Sequence, residues 1–227
     1  VICALVGVLV ELVAYRPVRR KGTSMSALIT AIAMSLLLEN LAQAIPAMGP
    51  NPRVISDEIF STAPMSLGGV SVNMAAGITI VIAAVVMAAL QIFVQKTKLG
   101  RAMRAVSENK EASTLVGINV NRTIVTTFAI GSGLAAVAAL MYCAQYHTVT
   151  TTMGSMLGLK AFVAAVMGGI GLIPGAMLGG IVVGIIEALV TAYISSSLAN
   201  AVVFLILIVM LLVKPAGILG KNVGEKV

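Results

Sequence analysis

The stretch GLKAFVAAVMGGIGLIPGAMLGGIVVGIIEAL, residues 158–189, is apolar almost throughout and carries charge only at Lys160 and Glu187. Continuous apolarity over such a length is typical of helices that cross a bilayer, because the strands of membrane barrels alternate polar and apolar residues. The whole chain has the same character, with 59% hydrophobic and 10% charged residues among 227. Soluble domains average about 25% charged residues. The sequence therefore predicts an all-α protein, built as a polytopic bundle of transmembrane helices.

Seven apolar runs are the candidate spans, at residues 1–14, 25–45, 73–94, 123–142, 157–166, 176–194 and 199–213. The chain starts with Val1 inside the first run, so we expect its N-terminal part to be missing. The fifth run has ten residues, fewer than the about 20 that a helix needs to cross a bilayer. Glycines and a proline follow it directly, which predicts a broken or kinked helix packed inside protein.

Membrane orientation is indicated by Lys and Arg, which accumulate in cytoplasmic loops. Thirteen of the fifteen basic residues form three clusters: Arg16, Arg19, Arg20 and Lys21; Lys96, Lys98, Arg101, Arg104, Lys110 and Arg122; and Lys214, Lys221 and Lys226. These clusters share one side only if the fifth run completes a crossing. We therefore predict a cytoplasmic middle segment and a cytoplasmic C-terminus. The connection between the second and third runs is predicted outside, with its Pro46, Pro50, Pro52, Arg53, Asp57 and Glu58.

Small residues recur at every fourth position in the opening stretch. Gly171, Gly175 and Gly179 form one ladder, Gly180 and Gly184 a second, and Gly131, Ala135 and Ala139 a weaker one elsewhere. This spacing lets membrane helices approach closely. A second interpretation is that Gly168, Gly169 and Gly171 line a translocation path, where backbone carbonyls and helix ends face a cavity. The two interpretations do not exclude each other.

The longest hydrophilic segment, GRAMRAVSENKEASTLVGINVNR, occupies residues 100–122 on the predicted cytoplasmic side. Ser107 and Asn109 are candidate N-caps of a short helix, and Glu108 and Glu111 suit its first turn. Gly117 is placed to end it. The segment therefore predicts a short helix outside the bilayer.

This helix has a small apolar face formed by Ala112, Leu115 and Val116, at positions i, i+3 and i+4. Such a face needs something to bury it. The lipid headgroups are one candidate, assisted by nearby basic residues, and a cytoplasmic partner protein is the other. The residues alone do not decide between them.

Five motifs, taken together in their order and spacing, resemble one known family. The segment 100–122 resembles the cytoplasmic coupling segment of ATP-binding-cassette importer permeases. ELVAYRPVRRKG, ITAIAMSLLLENLA, the opening stretch and KPAGILGK resemble segments of the high-affinity branched-chain amino acid permeases. The resemblance implies one permease domain over residues 1–227, with a coupling segment at 101–122. It also implies that the ATPase is contacted through Arg101, Arg104, Glu108, Glu111, Ala112, Leu115 and Gly117.

The resemblance implies a membrane subunit of an importer for leucine, isoleucine or valine in the cell membrane. Its expected partners are a second, related permease chain, two cytoplasmic ATPases, an extracytoplasmic binding protein and the lipid bilayer. The sequence contains no phosphate-binding loop, so ATP hydrolysis is expected on a separate chain. It also lacks zinc-protease and nucleophile-elbow motifs. We expect no catalytic residues, no metal, no cofactor and no nucleic-acid partner.

Three alternatives stay open. The same importer class also serves urea, short amides and other amino acids. An ion-coupled secondary transporter would need several ionisable residues at midplane depth, and this chain offers Glu11, Glu39, Lys160 and Glu187. A purely structural membrane scaffold gives no reason for the helix after Ser107.

Lys160 and Glu187 are the charges beside the glycine cluster. A lone ammonium at the bilayer centre costs at least about 2.5–3.5 kcal/mol on insertion scales. Lys160 lies three residues into the fifth run, which places it near the outer surface. We consider three roles: Lys160 reaches toward the surface, it pairs with Glu187, or both charges line the entry for a zwitterionic amino acid.

Overall fold

The computed structural model describes residues 1–21, 24–45, 49, 51–54, 65–67, 70–72, 74–214 and 216–220. The helices in these ranges are α1 (Ile2–Val10), α2 (Arg16–Lys21), α3 (Ser24–Ala44), α4 (Met74–Lys96), α5 (Lys98–Glu108), α6 (Lys110–Leu115), α7 (Val120–Tyr146), α8 (Met153–Gly168), α9 (Ile173–Tyr193) and α10 (Ser196–Val213). The strands are β1 (Arg53–Val54), β2 (Met65–Leu67), β3 (Val70–Val72) and β4 (Thr148–Val149). The predictions for Pro46, Pro50, Asp57, Glu58, Lys221 and Lys226 fall outside the described residues.

The all-α class predicted from composition is confirmed. Four described helices, α4, α7, α9 and α10, are long and apolar enough to cross a membrane, by length and composition. Residues 29–44 of α3 and the whole of α8 form shorter apolar helices. The strands only pair two by two, β1 antiparallel to β4 and β2 antiparallel to β3. Every predicted run thus lies on a helix, and the bounds differ by a few residues.

The chain divides into two compact units. The first contains Val1–Val86 and Ile92–Met153, and the second contains Met87–Gln91 and Gly154–Val227. In the first unit, α1 packs along α7. A Cβ atom on Gly7 would overlap the Ser132 hydroxyl, so the two backbones approach as closely as a glycine allows. The rings of Tyr15 and Phe128 meet further along the same contact, with centroids 5.0 Å apart.

The first apolar run does not form a uniform α-helix. Between α1 and α2 the chain makes a π-helical turn over Glu11–Tyr15, where the Arg16 amide donates to the Glu11 carbonyl five residues back. No sequence pattern predicted this turn, because a π-turn differs from an α-turn by one residue of register. Such single turns concentrate at functional sites.

The second unit is built on α8, α9 and α10. Its core contains the buried residues Val163, Ala164, Met167, Val183 and Val203. Partly buried apolar side chains from α9 and α10 surround that core. One face of the short run thus packs inside protein as predicted, whereas Leu159 and Phe162 are exposed, so the predicted burial is confirmed only in part.

The prediction that this short run is broken is wrong. It forms part of one continuous helix, α8, and the glycines form the turn that joins α8 to α9. Gly169 and Gly171 have φ angles of 110° and 92° there, a conformation that L-residues with side chains rarely adopt. The breaker cluster therefore ends the helix without interrupting it.

The glycine ladder packs as its spacing predicted, though only in part. Added Cβ atoms on Gly175 and Gly179 would meet the backbone of Gly168 and of Ala164, so α8 and α9 touch through their main chains. Gly184, in contrast, faces open space. Only the members of the ladder that face α8 therefore have a packing role.

Candidate functional site

The hydrophilic segment begins with a sharp turn after α4. Thr97 has an extended backbone, and its Oγ1 accepts a 3.0 Å hydrogen bond from the Gly100 amide, which caps α5. Gly100 is buried against the carbonyls of Phe93 and Val94, where a Cβ atom would overlap them. A glycine is therefore required where the chain turns from α4 into α5.

The two faces of α5 differ in character. Arg101 and Arg104 are exposed, whereas Val106 is buried, and α5 packs against α7. Arg104 Nη2 donates to the Gln95 carbonyl at 3.4 Å. The basic face is thus presented to the surroundings of the chain, as expected for residues predicted to meet a partner or the headgroups.

Two details of the predicted coupling helix are wrong. Ser107 does not cap it, because the Ser107 hydroxyl donates back to the Arg104 carbonyl at 2.7 Å, within α5. Glu108 is the last residue of α5, so it does not belong to the first turn of the following helix. The sequence suggested one helix from Glu108 to Gly117, but a break at Asn109 separates α5 from α6.

The remaining capping predictions are confirmed. Asn109 has an extended backbone and its Oδ1 accepts from the amides of Glu111 and Ala112, at 2.9 and 3.0 Å. Gly117 has a φ of 82°. Its amide donates to the Thr114 carbonyl and the Ile118 amide to the Ser113 carbonyl, both at 3.0 Å. These are the two bonds of a Schellman motif. A helix of six residues is therefore fixed at both ends.

The apolar face of α6 is not covered within the described part of the chain. Leu115 is 90% exposed and Val116 is 76% exposed, and Ala112 is exposed beside them. Ser113 points the other way and is buried. A six-residue helix is not stable alone in water, so its caps and the contact on the Ser113 side hold it. The structure thus presents an apolar surface that no other described residue covers.

Lys160 and Glu187 form an ion pair in the second unit. Lys160 Nζ donates to Glu187 Oε1 at 2.6 Å, and the two side chains are 23% and 34% exposed. Lys160 is the eighth of the sixteen residues of α8, so the predicted position near the helix start is wrong. The helix extends back to Met153 through glycine and serine residues, which do not look like a span in sequence. Of the three roles considered, the structure shows the pairing.

Two of the three glycines predicted to line a path, Gly168 and Gly169, have carbonyls that already accept hydrogen bonds within the protein. The Gly168 carbonyl accepts from the Leu219 amide at 3.2 Å, and the Gly169 carbonyl accepts from the Leu172 amide at 3.2 Å. A carbonyl already bonded to protein is less available to a passing substrate. These contacts favour the packing interpretation of the glycine cluster over the path interpretation.

A cavity of about 480 Å³ lies in the first unit, among α1, the π-turn, α3 and α7. Its lining is apolar and rich in small residues, with hydroxyl groups from Tyr15, Ser35 and Ser132. Sequence reasoning missed this cavity. The only signal was the weaker small-residue ladder, of which Ala135 and Ala139 line it. The residues predicted for a translocation path all belong to the second unit.

Among the described residues, no group of three or more His, Cys, Asp or Glu side chains is arranged to hold a metal ion. Cys3 is exposed and Cys143 is buried, and neither forms a disulfide.

Comparison with known proteins finds one family that matches nearly the whole chain. The family model for the permease component of branched-chain amino acid transport systems matches residues 1–213. The high-affinity branched-chain amino acid transport system permease protein LivH of Escherichia coli K12 is 41% identical over 100% of this chain and 74% of its own length. The corresponding protein BraD of Pseudomonas aeruginosa is 39% identical over 97% of this chain and 72% of its own length.

A shorter match extends to a different transport system. The autoinducer 2 import system permease protein LsrC of Klebsiella pneumoniae is 40% identical over 35% of this chain and 23% of its own length. No solved structure matches the chain.

Proposed function

The chain belongs to the family of branched-chain amino acid transport permease components, as its sequence motifs suggested, and from this we propose that it carries leucine, isoleucine or valine across the cell membrane. The observation that supports this most is the identity of about 40% with LivH and BraD over nearly the whole chain. The chain is a membrane subunit of an ATP-binding-cassette importer, a class whose permeases work with other subunits. Substrates such as urea, short amides or other amino acids are the competing assignment.

The importer would contain four further components. We propose a second, related permease chain, two cytoplasmic ATPases that hydrolyse the ATP, and an extracytoplasmic protein that delivers the substrate. The coupling segment and the C-terminus face the cytoplasm in this proposal, as the three basic clusters require. Nucleic acid is not among the partners, because the basic residues follow the membrane topology.

The exposed face of α6 would dock into the ATPase. Burying a leucine side chain such as Leu115 is worth about 1.5–3 kcal/mol. The Asn109 cap and the Gly117 turn present this face in one conformation, so little ordering entropy is lost on docking. Arg101, Arg104, Glu108 and Glu111 would supply the charged rim of the contact. Binding to a lipid surface is the weaker explanation, because the apolar face has only three small or medium side chains to insert among the headgroups.

The Lys160–Glu187 pair would meet the substrate on its path. Both side chains are partly exposed, and a zwitterionic amino acid offers a carboxylate for Lys160 and an ammonium for Glu187. The substrate would exchange with the pair, replacing one ion pair by two. Gly168, Gly169 and Gly171 would hold the turn at the end of α8 rather than contact the substrate.

The decisive experiment is transport by the reconstituted complex. Proteoliposomes with the binding protein, both permeases and both ATPases should accumulate labelled leucine, isoleucine and valine when ATP is supplied. Excess urea or acetamide should not compete. Uptake that needs an ion gradient and no ATP would contradict the importer assignment, and competition by urea with no uptake of leucine would contradict the substrate.

The docking role has its own test in the same system. Leu115→Asp should reduce transport strongly, because it places a charge in an apolar contact, and should reduce co-purification of the ATPase. Thr114→Asp is the matched control, since it adds the same charge to the same helix about 100° around its axis. Equal loss in both variants would contradict docking through the apolar face.

A further inference from the structure

Glu11 is a completely buried carboxylate at the start of the π-turn that follows α1. A buried carboxylate costs several kcal/mol unless an opposite charge compensates it. Ionisable residues among membrane helices are expensive, and they mark functional positions by default. The position and partners of Glu11 therefore need a physical explanation beyond packing.

The π-turn that starts at Glu11 aligns it with Arg19. In a regular α-helix a residue eight positions on is turned by about 80° from the first, at about 100° per residue. The π-turn holds one extra residue, so Arg19 takes the place of a residue seven positions on, about 20° away from Glu11. Arg19 thus lies on the same face of the helix, two turns further along, within reach of a long side chain.

Arg19 contacts two groups at once. Its Nη2 lies 2.9 Å from Glu11 Oε1 and donates to Asn121 Oδ1 at 3.1 Å. The approach to Glu11 is an ion pair without the alignment of a hydrogen bond, and Glu11 Oε2 has no hydrogen-bond partner among the described residues. The guanidinium therefore joins a buried carboxylate of the π-turn to an exposed amide on α7.

Asn121 is the second residue of α7, directly behind the segment that leads from α6. Asn119 begins this helix, with its Oδ1 accepting from the Arg122 amide at 3.1 Å. Arg19 thus contacts Asn121 at the point where the coupling segment ends and α7 begins. A movement of that segment that shifts the start of α7 would displace one end of the three-residue bridge.

We propose that Glu11, Arg19 and Asn121 form a transmission bridge, which passes movement of the coupling segment to α1 through the π-turn. This rests on the proposed function, because a coupling segment has a role only in an ATP-driven importer. Arg19 and Asn121 are positioning residues, since they act through the helices they join. The π-turn has a function in this account: it provides the register that the bridge requires.

The test measures substrate transported per ATP hydrolysed in proteoliposomes that contain the complete importer. Asn121→Ala and Glu11→Gln should each lower this ratio by about two- to thirtyfold, the range produced by mutations along coupled networks. Asn121→Asp should retain the ratio, because its carboxylate still accepts from Arg19. Thr126→Val is the matched control, since among the residues the structure describes the Thr126 hydroxyl bonds within α7, to the Arg122 carbonyl at 2.8 Å.

A purely structural ion pair predicts a different result. Variants would then lose thermal stability and assembled complex, while the complexes that remain would transport the wild-type amount per ATP. Wild-type ratios in both Asn121→Ala and Glu11→Gln, or an equal drop in Thr126→Val, would overturn the bridge. If the wild-type complex itself fails to transport, the proposed function fails first, so the two failures are distinguishable.

Discussion

Gly217 lies against Gly169 so closely that a Cβ atom on Gly217 would stand 2.6 Å from the Gly169 Cα. The same residue has a φ of 81°. From this turn the chain runs on to donate from the Ile218 amide to the Met167 carbonyl at 2.8 Å. The C-terminal segment thereby satisfies carbonyls that the last turn of α8 leaves free.

Gly217→Ala should therefore destabilise the second unit by about 1–3 kcal/mol, from backbone strain and overlap together. Gly171→Ala is the control, because Gly171 also has a positive φ but faces open space. Thermal unfolding of the purified protein should show a larger drop for Gly217→Ala. Equal drops would mean that the contact with Gly169 contributes nothing.

The contact between α8 and α9 gives a second stability prediction. Gly179→Ala should lower thermal stability, because its Cβ would overlap the Ala164 carbonyl and push the helices apart. Gly184→Ala lies on the same helix and faces open space, so it should be neutral or stabilise by about 0.5–1 kcal/mol. A neutral Gly179→Ala would contradict close backbone packing at this crossing.

Helix positions followed from the sequence wherever apolarity was continuous. The runs at 73–94 and 176–194 match α4 and α9 to within three residues. The run at 157–166 is six residues shorter than α8, because the helix also includes Met153–Met156 and Met167–Gly168 at its ends. The first turn of α8 contains glycine and serine, which lower its hydropathy, so the sequence placed Lys160 too close to the start of the helix.

Of the ion pairs Lys160–Glu187 and Glu11–Arg19, one could be anticipated from the sequence and the other could not. The Lys160–Glu187 pairing was one of the roles considered from sequence, since an antiparallel turn brings residues on both sides to similar depth. The contact of Glu11 with Arg19 was not, because it depends on a one-residue change of register in the π-turn. The helix caps at Asn109 and Gly117 could be predicted from the sequence, since a cap depends on residues only a few positions apart.

Gly117 permits a test of whether the conformation of α6 matters for coupling. Its φ of 82° is unfavourable for a β-branched residue, and an added Cβ would meet nothing within 4 Å, so Gly117→Val acts on the backbone alone. We expect Val to reduce transport per ATP without loss of the membrane helices. Asn tolerates the left-handed region, so Gly117→Asn should retain coupling. Equal behaviour of the two variants would contradict the role of this turn.

The proposed orientation is testable by cysteine labelling in a background without Cys3 and Cys143. Exposed positions at Thr152 and Ser197 should react with an impermeant thiol reagent added outside intact cells. Ser107 should react only after permeabilisation. The same is expected for Ile170, which is 79% exposed in the turn after α8. Labelling of Ile170 from outside would mean that α8 does not cross the membrane.

The role of the ion pair between α8 and α9 is separable from its contribution to stability. Removing one partner leaves the other charge unpaired among membrane helices, so Lys160→Met or Glu187→Met should each cost about 1–3 kcal/mol in stability. Replacing both with Met removes the unpaired charge, and such replacements of ion pairs are often neutral or stabilising. The double variant should therefore recover thermal stability.

Transport distinguishes a structural pair from a pair that meets substrate. If Lys160 and Glu187 hold the carboxylate and ammonium of the amino acid, the stable double Met variant should still fail to accumulate leucine. The exchanged variant, Lys160→Glu with Glu187→Lys, should likewise be stable and inactive, because the reversed charges face a substrate that binds in one orientation. Recovery of uptake in the exchanged variant would assign the pair to structure alone. Normal uptake in both single Met variants would show that neither transport nor folding requires the Lys160–Glu187 pair.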